Sequence, residues 1–236
     1  PQPTKTHLLS SASSDVYKRQ MLDANSVVLS PIEALFLNLS LLCIVAWPMW
    51  IAGKSLRPGN DLAMLALLAL FATSGRILLD PLPNIQPVTV VVLLVGAHYG
   101  ASRSVAFASV VAISSNLVLG HGIWTLYQAL AWSLVGITGS SLSRIFRNGN
   151  AISIRRVGAV AFVAGFAFDW VVSISALHSI PLESFPVYLM VGLPFDLVHA
   201  TGNLVFAAWL SGPLSEIMTR QSPQSKAVVE PVKNAS

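Results

Sequence analysis

From Ala34 onward the chain alternates long apolar runs with short breaks rich in proline, glycine or charge, and the runs have the length of membrane helices. The first covers about Ala34 to Ala52 and ends in the turn signal GKSLRPGN; at about 1.5 Å of rise per residue it is long enough to cross the hydrocarbon. A second is predicted from about Leu62 to Leu79, closed by Arg76, Asp80 and the prolines Pro81 and Pro83, which are expected to force DPLPNIQP into an extended path. The third, from Val88 to about Tyr99, is short for a span and is expected to be tilted or to begin deep in a bundle. The fourth runs from about Ser104 to Leu119, the fifth from about Trp124 to Leu142, the sixth from about Val157 to Leu177 and the last from about Tyr188 to Leu210. The expected organisation is an N-terminal segment at 21–33, an extra span at 34–52, a core at 61–211 and a polar tail at 212–236 that frays and becomes disordered.

Small residues punctuate these runs: Ala108 with Ala112, Gly136 with Gly139 and Ser140, and Ala161, Ala164, Gly165 and Ala167. In lipid no hydrophobic force drives helices together, so such residues mark places where backbones approach closely. The bundle is expected to be compact.

One break differs from the others. Leu119 to Trp132, LGHGIWTLYQALAW, places His121, Trp124, Tyr127 and Gln128 between two apolar runs. Polar groups at membrane depth are tolerated where they are buried in protein or line a cavity, so this corner reads as one wall of a ligand pocket. Belt aromatics at the interface are the competing reading for Trp124 and Tyr127.

Composition agrees with the periodicity. Apolar residues make up 54% of the 236 and charged residues 10%, with a mean hydropathy of +0.68, where a soluble domain carries about a quarter charged residues. The class is an all-α polytopic membrane protein. The single cysteine, Cys43, excludes a disulfide framework and a thiolate metal cluster. A net charge of +4 is too modest to imply nucleic acid. Residues 1–20 stand apart: Asp15 to Gln20, DVYKRQ, resembles the translated mosaic end of a transposase used to fragment DNA, so this stretch is either an assembly artefact or a disordered polar tail.

Loop charges set an orientation. Lys54 and Arg57, then Arg103, then Arg144, Arg147, Arg155 and Arg156, then Arg220 and Lys226 occupy alternate loops, whereas the breaks around Leu82, around His121 and from His178 to Pro186 hold no lysine or arginine. The positive-inside rule places the basic set in the cytoplasm, with seven crossings, the amino terminus of the mature chain outside and the carboxyl terminus cytoplasmic. The remaining polar residues then share the outer ends of their helices: Arg76, Asp80, Asn84 and Gln86; His121, Trp124, Tyr127 and Gln128; Asp169; Asp196, His199 and Asn203. Ionisable residues in spans cost roughly 2.5–3.5 kcal/mol each on insertion scales and face the interior or a wet cavity, so an outward-open polar pocket is expected. Arg76 and Asp80, four apart, either form an intrahelical ion pair or contact ligand. Asp196, His199 and Asn203 share one helix face and are open to four readings: a metal half-site, a proton relay, a ligand-anchoring stripe or an interhelical clasp. The metal reading lacks a second histidine and carboxylate motif.

The chain holds no HExxH, no GxSxG with a distant histidine and no Walker lysine in a glycine loop, so no catalytic residue, metal or bound cofactor is expected. Active movement of a solute would draw energy from another chain or from an ion gradient.

Three segments carry a family resemblance: GRILLDPLPNIQPVTVVVLLVGAHYGASRS, SNLVLGHGIWTLYQALAWSLVGITG and FDLVHATGN. Together they resemble the substrate-binding S component of energy-coupling factor transporters, in particular a subgroup reading like GR..PIPNVQP, SNFFLGQGPWTPWQMLAWGLIG and FDLxHAxGN and associated with a corrinoid-type substrate. The similarity covers about Asp61 to Leu210. It implies a six-helix S-component bundle preceded by one additional N-terminal transmembrane helix, in the cytoplasmic membrane of a bacterial cell. It further implies capture of a small water-soluble vitamin or related micronutrient, with transport requiring a membrane coupling subunit and two ABC-type ATPases that alone use ATP. The substrate-binding residues implied are Arg76, Asn84, Gln86, His121, Trp124, Tyr127, Gln128, Asp196, His199 and Asn203. Trp124 would pack on the ligand, Gln128, Asn84 and Asn203 would hydrogen-bond it, and Gly120 and Gly122 would let the backbone come close. Two departures stand out: alanines Ala63, Ala66, Ala69 and Ala72 recur every third residue where many S components carry AxxxA, and Gly120–Trp124 reads GHGIW where the subgroup has GQGPW. The alternative class is a self-contained proton-coupled carrier or channel using Asp169, Asp196 and His199; a sensor or structural module is a third.

Overall fold

The computed structural model describes residues 60–148 and 151–221 and the isolated helical positions Ile32, Phe36, Cys43 and Trp47. Apart from those positions, the segments expected at 1–20, 21–33 and 34–52 and the end of the tail lie outside the described residues.

Within them the chain is helical, apart from one small hairpin. The order is α1 (Asn60–Leu78), α2 (Val88–Tyr99), α3 (Ala101–Leu119), α4 (Ile123–Ser141), the single turn α5 (Ser143–Phe146), strands β1 (Arg147–Asn148) and β2 (Ala151–Ile152), α6 (Ile154–Ser173), two 3₁₀ turns (Ile174–His178 and Leu182–Ser184) and α7 (Phe185–Gln221). The apolar runs therefore mark the helices to within a few residues at most ends. Four stretches, Asp61–Leu78, Ala101–Leu119, Ile154–His178 and Leu182–Arg220, are long and apolar enough to cross a bilayer, which makes the chain a multi-pass membrane protein. Leu62, Leu67, Leu70, Leu117, Val163 and Trp209 on these helices are exposed, as lipid-facing side chains are. Of the seven expected crossings, the first lies outside the described residues, and two fall short of that standard. Helix α2 has 12 residues, about 18 Å, and α4 is diluted by Thr125, Tyr127, Gln128 and Ser133.

Helix α2 forms the centre. It is apolar all round, and ten of its 12 residues are buried, the pattern of a helix enclosed by others. It packs against α1, α3, α4, α6 and α7, so it begins inside the bundle rather than spanning it from lipid to lipid. Its crossing with α4 depends on glycine. A Cβ on Gly96 would lie 2.0 Å from the Gly136 carbonyl oxygen, and one on Gly139 would lie 2.1 Å from the Leu93 carbonyl oxygen. The α6–α7 crossing is similar, since a Cβ on Gly165 would lie 2.9 Å from Ala200 Cα. Ala108, Ala112 and Ala161 are fully buried as expected, whereas Ala167 is exposed.

Two expectations need correction. The segment DPLPNIQP is not extended: it winds through consecutive turns, with Leu82 N–H donating to Leu79 O and Ile85 N–H to Leu82 O. Asn84, at φ +60°, takes the left-handed conformation that asparagine tolerates, and this reverses the chain between the prolines. The basic connection at 143–156, for which no conformation was expected, holds a hairpin in which β1 and β2 pair antiparallel with Arg147 opposite Ile152. The second correction concerns the last helix, which does not end near Leu210. It continues through Gln221 because Ser211, Ser215 and Met218 remain buried and β2 packs against α7.

The two ends of the bundle differ. Asp61 and Arg103 meet at 3.6 Å at one end, which also holds Arg144, Arg147, Arg155, Arg156 and Arg220. At the other end Arg76 is the sole lysine or arginine among the described residues. Replacing Gly139 by valine should prevent the α2–α4 approach and lower the thermal unfolding midpoint of the detergent-purified protein, at a cost of about 1–3 kcal/mol or more. A Cβ at Gly212 has nothing within 4 Å, and Gly212→Ala should leave the midpoint unchanged or raised.

Candidate functional site

At the end away from the basic loops, six helices deliver polar side chains into the interior. They do so because each contributes the terminus, or in α7 the first half, that carries its few non-apolar residues. The side chains enclose a cavity of about 90 Å³ lined by Arg76, Asn84, Gln86, Val88, Thr89, Gln128, Trp132, Phe168 and His199.

Arg76, near the end of α1, is 6% exposed. Its Nε donates to Gln86 Oε1 at 3.3 Å, and its Nη1 donates to Ser115 Oγ and to Asn116 Oδ1, the latter at 2.6 Å. The guanidinium also lies over the Trp132 ring, 5.2 Å from its centroid, a cation–π contact. Of the two readings for Arg76 and Asp80, the direct ion pair does not form: Asp80 is exposed, and among the described residues no carboxylate lies within 4.0 Å of Arg76, so the Asp80 charge acts on it only at longer range. Asn116 passes the network on. Its Nδ2 donates to Thr125 Oγ1 at 2.8 Å and to Gln128 Oε1 at 2.7 Å, so all its polar capacity toward α1 and α4 is used.

A second chain runs across the cavity from α4 to α6. Trp132 Nε1 donates to Thr89 Oγ1 at 3.2 Å, Thr89 Oγ1 lies 3.2 Å from His199 Nε2, and His199 Nδ1 lies 2.9 Å from Asp169 Oδ2. Indole N–H can only donate. The Thr89 hydroxyl therefore accepts from Trp132, and the Asp169 carboxylate, as an acceptor, places a ring proton on His199 Nδ1; the direction of the Thr89–Nε2 contact follows the state of the ring. The rings stack in the same order, with Trp132 and Phe168 centroids 4.6 Å apart and Phe168 and His199 edge-to-face at 5.3 Å.

The structure thus brings five of the ten sequence-predicted residues, Arg76, Asn84, Gln86, Gln128 and His199, to one cavity. Asn84 lines it while its Nδ2 donates to Phe195 O at 3.2 Å, fastening the turn before α2 to α7. The other five lie elsewhere. His121 is exposed at the α3–α4 corner. The Trp124 ring folds back on Gly122, where a Cβ would lie 2.2 Å from it, so Gly122 makes room for Trp124. Gly120, at φ +112°, takes a conformation that favours glycine. Tyr127 meets His178 edge-on at 6.1 Å and faces an apolar groove on the outside of the bundle. Asp196 accepts a hydrogen bond from Trp170 Nε1 at 3.0 Å, and Asn203 Nδ2 donates to Ala161 O at 3.1 Å. Both bonds join α6 to α7, which is the interhelical clasp among the four readings of that face. Among the described residues no group of three or more histidine, cysteine or acidic side chains is placed to hold a metal ion.

Thr89, Ser115, Asn116, Thr125, Trp132 and Phe168 belong to the site and were not foreseen. The available signal was the pair Ser115 and Asn116 in the middle of an otherwise apolar run, since an amide in a span seeks an interior partner.

The chain belongs to DUF6580, a family of unknown function, whose sequence profile it matches over residues 57–225. No curated protein and no solved structure matches it.

Thr89→Val keeps shape and removes the hydroxyl that joins Trp132 to His199, leaving a buried indole N–H and an imidazole nitrogen unmet. It should destabilise the protein by about 1–3 kcal/mol, read as a lower thermal midpoint in detergent.

Proposed function

We propose that this protein is the membrane-embedded substrate-binding subunit of an importer of the energy-coupling factor type, capturing a small water-soluble micronutrient at the outer face of a bacterial cytoplasmic membrane. One observation carries the reading: side chains from five helices and the turn before α2, most of them polar, line a cavity at the end of the bundle opposite the arginine-rich one. By the positive-inside rule that end faces outward, where a binding subunit meets its solute. Capture needs no chemistry, only an enclosed site with a few placed polar groups. Six helices of 12 or more residues between Asn60 and Gln221 fit the bundle implied by the sequence resemblance.

The cavity also bears on the substrate. Its volume of about 90 Å³ is well below the roughly 300–1,000 Å³ of pockets that bury drug-sized ligands. A corrinoid would need the α3–α4 corner to swing open, and a compact solute needs far less. Transport would require a membrane coupling subunit and two ATPases. The alternative, a self-contained proton-coupled carrier or channel, draws on the Asp169–His199–Thr89 chain.

Reconstitution separates the two. The binding-subunit reading expects the purified chain to hold a solute identifiable by mass spectrometry of copurified small molecules, and to support uptake into liposomes only with the partner subunits and ATP. Uptake by this chain alone, collapsed by an uncoupler, would establish the carrier instead. Gln128→Ala should weaken binding about tenfold, the worth of one hydrogen bond in a dry site, while lipid-facing Leu117→Ala should leave it unchanged.

A further inference from the structure

We infer that the cavity recognises a carboxylate monoanion, with Arg76 as its counter-charge. The inference rests on the binding reading above and adds the class of the solute.

The polarity of the site follows from Arg76, because a guanidinium can only donate. The Gln86 atom at its Nε must therefore be the amide oxygen, and the Asn116 atom at its Nη1 must be Oδ1. That turns the Asn116 Nδ2 toward α4, and the Gln128 atom it meets must again be oxygen. Each amide orientation is thus forced by chemistry and does not depend on distinguishing oxygen from nitrogen. The consequence is one-sided. The Arg76 cation consumes the acceptors of Gln86 and Asn116, and Asn116 consumes that of Gln128. The Nε2 groups of Gln86 and Gln128 and the Nη2 of Arg76 make no hydrogen bond to any described residue, and all three residues line the cavity.

The cavity therefore offers donors and one full positive charge, and no carboxylate lines it. Three acidic residues lie nearby: Asp169 is engaged on His199 and Asp196 on Trp170, while Asp80 is exposed, lies outside the cavity lining and acts on the guanidinium only at longer range. A guanidinium 6% exposed whose direct partners are all neutral is an incompletely compensated buried charge, a state that an anion in the cavity would relieve. Size and charge select the anion. One guanidinium balances one negative charge, and its planar N–H groups match a carboxylate. About 90 Å³ accommodates a carboxylate and little more, so the rest of the solute would extend toward the α3–α4 corner.

The test uses the full chain in nanodiscs, with Trp fluorescence and thermal midpoint as readouts, since Trp132 borders both Arg76 and the cavity. Acetate, pyruvate and nicotinate are compared with acetamide, nicotinamide and inorganic phosphate. Saturable responses to one or more carboxylates, with none to the amides, are expected. Arg76→Gln should reduce carboxylate affinity by about 30-fold or more. Gln128→Glu keeps the acceptor for Asn116 and places a carboxylate in the cavity, so it should raise the midpoint without ligand and abolish the carboxylate response. This second variant guards against Arg76→Gln failing to fold. Equal binding of the amides, or a copurified neutral solute retained by Arg76→Gln, would overturn the carboxylate inference and leave the binding-subunit reading intact. No copurified solute and no response to any probe would overturn both.

Discussion

A cation with no carboxylate in direct contact governs the interior of this protein. Arg76 is held by Gln86, Ser115, Asn116 and the face of Trp132, and because it can only donate, it fixes which way each neighbouring amide turns. A buried charge held by neutral dipoles needs all of them at once, since the loss of any one leaves desolvated charge behind. Helices α1, α3 and α4 and the turn before α2 are therefore tied to one another through one side chain.

The ties work because the backbones are already close. Glycines at 96, 136 and 139 let α2 and α4 touch main chain to main chain, which places Thr89 and Trp132 within hydrogen-bonding distance. Gly165 does the same for α6 and α7, and His199 then sits between Asp169 and Thr89. Packing and polarity are one design here: small residues set the distances, and the polar groups near the ends of the helices use them.

The helices were legible in the chain because a span is a long signal, and an error of two or three residues at its end changes little. Arg76, Gln86, Gln128 and His199 were legible as interior residues because few large polar groups occur in these runs and lipid excludes them. Ser115 and Thr89 were not, since a lone hydroxyl in an apolar helix looks like any small packing residue and can satisfy itself on its own backbone, as Ser115 does on Val111 O. The corner at 119–124 has a local arrangement that its residue types do not reveal: the positive φ of Gly120 and the missing Cβ of Gly122 let Trp124 fold back on the chain, and His121 is exposed. The prolines of DPLPNIQP pointed to an extended path, and one left-handed asparagine converts it into turns. Such effects depend on a single torsion angle, and periodicity carries no information about it.

Helix α7 has 37 residues in one piece, about 55 Å at 1.5 Å per residue, against a hydrocarbon thickness of about 30 Å. Tilt alone does not absorb the difference, because at about 40°, the upper end of observed tilts, the rod still rises roughly 42 Å. Its last turns must stand clear of the lipid on the arginine-rich side, where β2 packs along it and Met218 stays shielded. The stretch that begins beside the polar cavity thus ends in water, and Pro194 and Pro213 within it each remove a backbone hydrogen bond and mark a place where the helix can kink. The water-exposed end can therefore change its direction without disturbing the part that lies in lipid.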